Sequence, residues 1–294
     1  MQNVKRGNLF GILAILLWST LAVLAVLSGD IPPFELVAIS FFVASFVGLF
    51  MLKKQKHSLK KLLEVPKLSW VIGISGLFGY HFFYFFAIQS APAVEANLIN
   101  YLWPLLIVLF SSFLPNEKLR WFHIVGSLLG LLGAFLLVSK NGSLEFKDEY
   151  INGYIYAVIA ALIWSSYSVI SRKFSHVPTY SVTGFCISTA VLSLICHLLF
   201  EVTVIPTFTQ LFAIILMGLG PVGGAFYVWD YGMKSGDIKI LGSLAYFTPL
   251  LSTFLLILFS LASMNKTITI ACFLIMLGSM ISSKELLLKI VLKK

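Results

Sequence analysis

One segment of the chain carries a stripe of side chains that could bind a small polar molecule. These residues recur at i, i+3, i+4 and i+7, the spacing of one helix face, among mostly apolar neighbours. They are Asn97, Asn100, Tyr101 and Pro104. Amide and phenol groups donate and accept hydrogen bonds. Proline removes a backbone N–H and frees the carbonyl four residues earlier, at Asn100. We therefore expect this face to meet a ligand, water or a neighbouring helix.

Further aromatic and polar residues lie near the middle of other apolar segments. Trp18 and Trp164 are far from the segment ends, where tryptophan usually collects at a membrane surface. Aromatic faces suit ring-bearing solutes and also attract ammonium groups. Packing and interhelical hydrogen bonding are the alternatives for each single residue. The candidate binding residues are Trp18, Tyr80, His81, Tyr84, Asn97, Asn100, Tyr101, Trp103, Trp164, Tyr227, Ser243 and Tyr246.

Few ionisable groups fall inside the apolar segments. Glu95 and Asp230 are candidates for a gate or for ion coupling. Glu95 could equally complement a helix N-terminus, and Asp230 could pair with Lys234 one turn away. Because no chain of buried carboxylates is present, the sequence does not support strong ion coupling. Pro104 and Pro249 interrupt two segments at corresponding positions, and we expect Pro249 to free the Ala245 carbonyl as Pro104 frees that of Asn100. The two prolines could act as hinges or as static kinks.

The patterns that could indicate an enzyme are weak. Gly73 to Gly76 matches GxSG and His123 to Gly126 matches HxxG, as in an intramembrane serine protease. Nothing else supports a Ser–His pair, and glycines 126, 130 and 133 fit close helix packing better. The three cysteines lie in apolar runs without a CxxC pair. We expect no catalytic residues, no metal and no cofactor.

Composition determines the elements that must position these residues. The 294 residues are 59% apolar and only 11% charged, far from a soluble domain. Apolar runs of about 20 residues are long enough to cross a bilayer as helices, and they lack the alternation of a barrel wall. The predicted spans are 8–28, 33–52, 69–90, 93–114, 120–139, 151–172, 180–200, 210–232, 238–260 and 266–284.

The basic residues indicate which side each loop lies on. With the N-terminus inside, 18 of the 21 Lys and Arg residues fall in inner segments and three in outer ones. The positive-inside rule therefore places both termini in the cytoplasm. The net charge of +9 then belongs to a membrane surface, and we expect no nucleic-acid partner. Residues 285–294 form a basic tail that would lie on the inner leaflet or in solvent.

The chain repeats itself after 145 residues. Tyr101 and Pro104 recur as Tyr246 and Pro249, the most specific of several pairs at this offset. Five spans in each half is an odd number, so the second half must be inverted relative to the first. Such repeats commonly hold a substrate between them and work by alternating access. We predict an all-α membrane protein with a first repeat at 1–140, a second at 151–284 and a central cavity.

These motifs resemble a known family. The run from Glu95 through Asn97-Leu-Ile-Asn100-Tyr101-Leu-Trp103-Pro104, with the Trp18-Ser-Thr and Gly242-Ser-Leu-Ala-Tyr246-Phe-Thr-Pro249 segments, is similar to the drug/metabolite transporter superfamily. Within it, the sequence looks most like the EamA-type bacterial aromatic amino-acid exporters. The resemblance covers nearly the whole chain and implies ten helices around a cavity lined by spans 1, 3, 4, 6, 8 and 9. Asp230 departs from the expected pattern and leaves the charge of the substrate open.

The sequence thus predicts a monomeric, multi-pass carrier of the bacterial inner membrane with a small-molecule substrate. The resemblance implies export of aromatic or other apolar amino acids. Alternatives within the superfamily are a drug, organic-cation or nucleotide-metabolite carrier. A passive channel is a more distant alternative, because no filter-like loop or ring of charges is present.

Overall fold

The computed structural model describes residues 2–115, 117–139, 147–261 and 264–284, and these form a bundle of ten long apolar helices. Nine of them exceed 17 residues, and the tenth is slightly shorter. The predicted tail at 285–294 lies outside the described residues. The helices are α1 (Asn3–Ser28), α2 (Pro33–Lys54), α3 (Lys67–Ser90), α4 (Ala93–Phe113), α5 (Trp121–Val138), α6 (Asp148–Phe174), α7 (Thr179–Phe200), α8 (Phe208–Ser235), α9 (Ile238–Leu258) and α10 (Lys266–Ser282).

Local sequence signals explain several helix starts. Pro33 is the first residue of α2, where its missing N–H has no cost. The Asp237 side chain accepts from the N–H groups of Lys239 and Ile240 and so caps α9. Thr207 and Gln210 form a reciprocal capping box at the start of α8. The predicted spans therefore coincide with the observed helices to within a few residues at each end.

Five helices are interrupted, and four of the interruptions are related by the repeat. The π-helical turn Ser75–Gly79 in α3 lies 145 residues before the interruption of α8 at 220–223. The interruption of α4 at 101–102 overlaps that of α9 at 245–246 at one position, since Tyr101 corresponds to Tyr246. The fifth, at Thr20 in α1, has no counterpart in the continuous helix Ile151–Ile170 of α6. The 145-residue repeat therefore extends to the places where the backbone leaves regular helix geometry.

The expected consequence of the second proline needs a correction. We expected Pro249 to leave the Ala245 carbonyl without a backbone partner. The N–H of Thr248 donates to that carbonyl at 3.0 Å in a tighter turn. A local turn of the backbone thus compensates for the lost helical hydrogen bond, as is common where a helix is interrupted.

The helix contacts obey an approximate twofold relation between the halves. α1 packs on α8 as α6 packs on α3, while α2 pairs with α7, α4 with α9, and α5 with α10. This is the 5+5 inverted repeat predicted from the sequence. Large apolar side chains such as Phe42, Phe50 and Leu198 remain exposed on the outside of the bundle. Such a surface is unfavourable in water and is suited to lipid.

Candidate functional site

Four tryptophans meet at the centre of the bundle, each from a different helix. Trp18 of α1, Trp103 of α4, Trp164 of α6 and Trp229 of α8 form six ring pairs with centroids 4.9 to 6.5 Å apart. Phe226 adds a ring 5.5 Å from Trp164. We call these five residues the aromatic cluster. Edge-to-face and tilted contacts dominate it, the arrangements that aromatic quadrupoles favour.

The middle of α3 extends this cluster with hydrogen-bonding groups. Tyr80 lies 5.6 Å from Trp164 and stacks on Tyr84 with centroids 5.8 Å apart. His81 is buried between Phe41 and Phe226. Its Nδ1 lies 2.7 Å from the Leu77 carbonyl. Because a carbonyl can only accept, Nδ1 carries the proton, and in the neutral ring Nε2 is then an acceptor.

The polar stripe of α4 is bound to these tyrosines. The Tyr84 hydroxyl donates to Asn97 Oδ1 at 2.5 Å, and Asn100 Nδ2 donates to the Tyr80 hydroxyl at 3.1 Å. Asn100 Oδ1 is buried and has no hydrogen-bond partner among the described residues. A buried amide oxygen without a partner is costly, so this atom is a ready acceptor for a ligand N–H or O–H group.

Four predicted binding residues lie away from the aromatic cluster or use their polar groups elsewhere. Tyr246 is fully buried in a second apolar cluster beside α5 and α10, where Tyr101 also packs. The Tyr246 hydroxyl accepts from the Leu105 N–H at 3.2 Å. Ser243 bonds to Ser127 and Ser282 between α5, α9 and α10. The Tyr227 hydroxyl donates to the Ala44 carbonyl at 3.2 Å. Spacing alone could not show that the hydroxyls of Tyr246, Ser243 and Tyr227 already form hydrogen bonds within the protein.

Each of the two predicted gate residues is bound to another side chain, Glu95 by a hydrogen bond and Asp230 by an ion pair. Glu95, in the first turn of α4, accepts a hydrogen bond from the Tyr154 hydroxyl of α6. Asp230 Oδ2 lies 2.8 Å from Lys234 Nζ. Thr179 Oγ1 also donates to Asp230 Oδ2, at 2.8 Å. The local ion pair considered from the sequence therefore exists within α8, and Thr179 links it to the start of α7.

Two further charged groupings were not predicted, and they lie at opposite ends of the bundle. The Glu201 carboxylate accepts from the N–H groups of Phe34 and Glu35 and so caps α2. It also pairs with His197 Nδ1 at 2.9 Å. At the other end, Arg172 donates to the carbonyls of Lys234 and Gly236, which joins α6 to the corner between α8 and α9. We call the end with Arg172 the base-rich end.

A small polar cavity lies near the base-rich end between α3, α6, α7 and α8. Its volume is about 20 Å³, room for about one water-sized molecule. It is lined by Ser69, Ile72, Gly73, Tyr167, Ser171, Phe174, Val177, Ser181, Phe185, Asp230 and Lys234. A second recess of about 400 Å³ between α4 and α5 is wholly apolar in its lining and suits a lipid tail.

Sequence reasoning missed Trp229 and the hydroxyls of the polar cavity as site residues. The 145-residue offset could have found Trp229, because it occupies the position of Tyr84 in the second repeat. No comparable signal marks Ser69 or Ser181, since buried serines are common between apolar helices. Within the part of the chain that the structure describes, no group of three His, Cys, Asp or Glu side chains could hold a metal ion.

The fold and site together define a multi-pass membrane protein with a duplicated five-helix unit and an aromatic centre. The sequence matches the EamA-like transporter family over residues 5–139 and again over 151–284. The chain therefore belongs to the EamA-like transporter family, and it is a membrane transporter.

Individual relatives agree with this assignment. The aromatic amino acid exporter YddG of Ancylobacter novellus is 49% identical over 95% of this chain and 97% of its own. The aromatic amino acid exporter YddG of Escherichia coli is 25% identical over 85% of this chain and 87% of its own. A crystal structure that is 48% identical matches with a TM-score of 0.90 and covers 94% of this chain and 97% of the matched one.

Proposed function

We propose that this protein carries aromatic amino acids outward across the bacterial inner membrane by alternating access. The aromatic cluster is the observation that carries the proposal, because its rings lie at the interface of the two repeats and Tyr80 links them to the buried amide of Asn100. The relatives named as aromatic amino acid exporters support the same substrate class. Trp18, Trp103, Trp164 and Tyr84 would contact the ring, and Asn100 would orient a polar group.

The remaining parts of the proposal concern topology and assembly. The base-rich end would face the cytoplasm together with both termini, in agreement with the excess of bases in those loops. The two repeats at 1–140 and 151–284 would rock about the paired interruptions of α3, α4, α8 and α9. A monomer contains every residue of the site, and neither a nucleic acid nor a chemical step is required.

The protease alternative is disfavoured by the surroundings of its two residues. Ser75 is exposed on α3, whereas His123 is buried at the start of α5. His123 Nδ1 accepts from the Arg120 N–H at 3.1 Å and closes a cap on that helix. In a neutral ring the other nitrogen then carries the proton, so this imidazole has no free lone pair to act as a base.

Flux into proteoliposomes tests the proposed function. Reconstituted protein is supplied with labelled tryptophan, phenylalanine, nucleosides and organic cations. We expect saturable transport and counter-transport of the aromatic amino acids. Steady uptake without saturation would indicate a channel, and transport of another class alone would refute the substrate assignment.

A matched pair of variants tests the site. Trp164→Phe should raise KM by about fivefold, since an aromatic pair contributes about 1 kcal/mol. Trp121→Phe makes the same change on the exposed surface of α5 and should leave KM unchanged. Equal KM values in both variants would remove the aromatic cluster from the proposed binding site.

A further inference from the structure

The ammonium group of Lys234 occupies a site that would suit any primary ammonium. Lys234 Nζ lies 2.8 Å from Asp230 Oδ2 and donates to the Val177 carbonyl at 2.9 Å. The Asp230 and Lys234 side chains are only 2% and 7% exposed. A buried carboxylate persists only with a cation and hydrogen-bond donors beside it, and Thr179 is the second donor here. The Lys234 ammonium is the cation that balances this carboxylate.

Three further hydroxyl groups line the same cavity. Ser69 Oγ of α3, the Tyr167 hydroxyl of α6 and Ser181 Oγ of α7 all line the polar cavity. Each is buried, and none has a hydrogen-bond partner among the residues that the structure describes. Buried hydroxyls are normally satisfied, so three orphans around one ion pair indicate that a polar group other than these side chains binds there.

The polar cavity adjoins the aromatic cluster through two helices. On α6, the Tyr167 ring lies 5.4 Å from Trp164. On α8, Trp229 directly precedes Asp230, and its indole N–H donates to Ser168 Oγ at 3.0 Å. A molecule with a flat apolar part and a charged polar end could therefore contact both regions at once.

We propose that the polar cavity binds the headgroup of an α-amino acid, and that Lys234 occupies it as an internal substitute for the substrate ammonium. This proposal rests on the proposed function. On binding, the substrate ammonium replaces Lys234 Nζ beside Asp230 and the Val177 carbonyl. The released Lys234 pairs with the substrate carboxylate, and the orphan hydroxyls of Tyr167 and its two serine neighbours gain partners.

Charge balance makes this exchange selective. The Asp230–Lys234 pair is neutral and a zwitterion is neutral, so the occupied cavity contains no net charge. An amine without a carboxylate would add one buried positive charge, and an acid without an amine one negative charge, and both are costly. In this structure the cavity has room for only about one water molecule. To admit the headgroup, the segment of α8 beyond its interruption at 220–223 would have to move outward.

Analogues that lack one charge test the exchange. Uptake of labelled tryptophan, tryptamine and indole-3-propionate is measured in proteoliposomes containing wild-type protein, Lys234→Met or Asp230→Asn. Lys234→Met leaves the carboxylate alone and should raise the tryptamine-to-tryptophan uptake ratio about tenfold. Asp230→Asn leaves the ammonium alone and should raise the indolepropionate-to-tryptophan ratio about tenfold. The double variant contains neither charge and should show neither shift.

A second pair of variants avoids the risk that a broken ion pair prevents folding. Ser69→Ala removes an orphan hydroxyl from the cavity and should raise the KM for tryptophan about fivefold. Ser193→Ala removes a buried orphan hydroxyl of α7 that does not line the cavity, and its KM should be unchanged. Neither change should lower stability, because no hydrogen bond within the described structure is lost.

The outcomes separate the two proposals. Wild-type protein that does not carry tryptophan refutes the proposed function. Wild-type protein that carries tryptophan, combined with unchanged analogue ratios in the folded single variants, refutes the headgroup site and makes the ion pair a structural link. Where the single variants do not fold, equal KM values for Ser69→Ala and Ser193→Ala refute it.

Discussion

The hydroxyl of Tyr246 satisfies a backbone N–H that the interruption of α4 leaves without a helical partner. The Leu105 N–H would bond the Tyr101 carbonyl in a regular helix, but residues 101–102 leave helical geometry. The N–H donates instead to Tyr246 of the other repeat, 3.2 Å away. Tyr246→Phe keeps the ring volume and removes this acceptor. Since Tyr246 is completely buried, water cannot replace the hydroxyl.

The expected cost is that of one orphaned buried N–H, about 1–3 kcal/mol in the free energy of unfolding. No cavity contribution is added, because the ring remains in contact with Gly130 and its other neighbours. Tyr167→Phe is the matched control, since its buried hydroxyl has no partner among the described residues and its loss should be neutral or stabilising.

Reversible unfolding in mixed detergent micelles, followed by far-ultraviolet circular dichroism, measures both variants against wild type. We expect Tyr246→Phe to be less stable than Tyr167→Phe by at least about 1 kcal/mol. Equal stability of the two variants would refute the assignment of Tyr246 as the partner of the interrupted helix, and would return its hydroxyl to the set of candidate ligand contacts.

Two further variants probe the packing and capping that hold the bundle together. Gly126→Ala should lower the unfolding free energy by about 1–3 kcal/mol, because its new Cβ would lie 2.4 Å from the Gly278 carbonyl oxygen. Gly79→Ala is the control and should be tolerated, since its nearest contact is 3.7 Å away, and equal effects would contradict the clash. Glu201→Gln should cost about 1–2 kcal/mol by weakening the cap of α2. Glu64→Gln at an exposed ion pair should change stability by less than about 0.5 kcal/mol, and a similar loss in both would contradict the capping role.

The fold was predictable because the sequence features that determine it extend over many residues. Ten apolar runs, the uneven distribution of basic residues and the 145-residue offset each survive errors of a few positions. The inversion then follows from an odd number of spans in each half. Helix interruptions were only partly predictable, since Pro104 and Pro249 mark two of them. The π-helical turn at Ser75–Gly79 contains no proline. Predicting it would have required a comparison of its glycines with those at 220–224 in the second repeat.

Parts of the candidate site were predictable where the type of a residue limits the places in a membrane protein at which it normally occurs. Trp18 and Trp164 are too far from the span ends for an interfacial role, and the structure brings them into contact. Hydroxyl-bearing residues were harder to assign. Tyr84 and Tyr246 both lie within apolar segments, yet one bonds to Asn97 and the other to a backbone N–H. In both cases the partner lies on a different helix, and residue spacing within one helix does not show which residues of another helix are nearby.

The pairing of interruptions has a mechanical consequence for transport. Half-helices beyond an interruption can tilt without breaking the hydrogen bonds of the neighbouring half, because the continuous ladder already ends there. The walls of the polar cavity contain two such half-helices, Lys67–Ile74 of α3 and Gly224–Ser235 of α8. α6 and α7, which supply the other walls, have no such interruption, and at the base-rich end each is hydrogen-bonded to α8 through Arg172 and Thr179. Opening toward the base-rich end would therefore tilt α3 and α8 away from α6 and α7 and would break these two hydrogen bonds. Asp230 and Lys234 both lie on the tilting segment, whereas Thr179 is the first residue of α7 and Val177 lies just before it. Opening would therefore separate the ion pair from these hydrogen-bond partners at the time when a substrate headgroup could take their place.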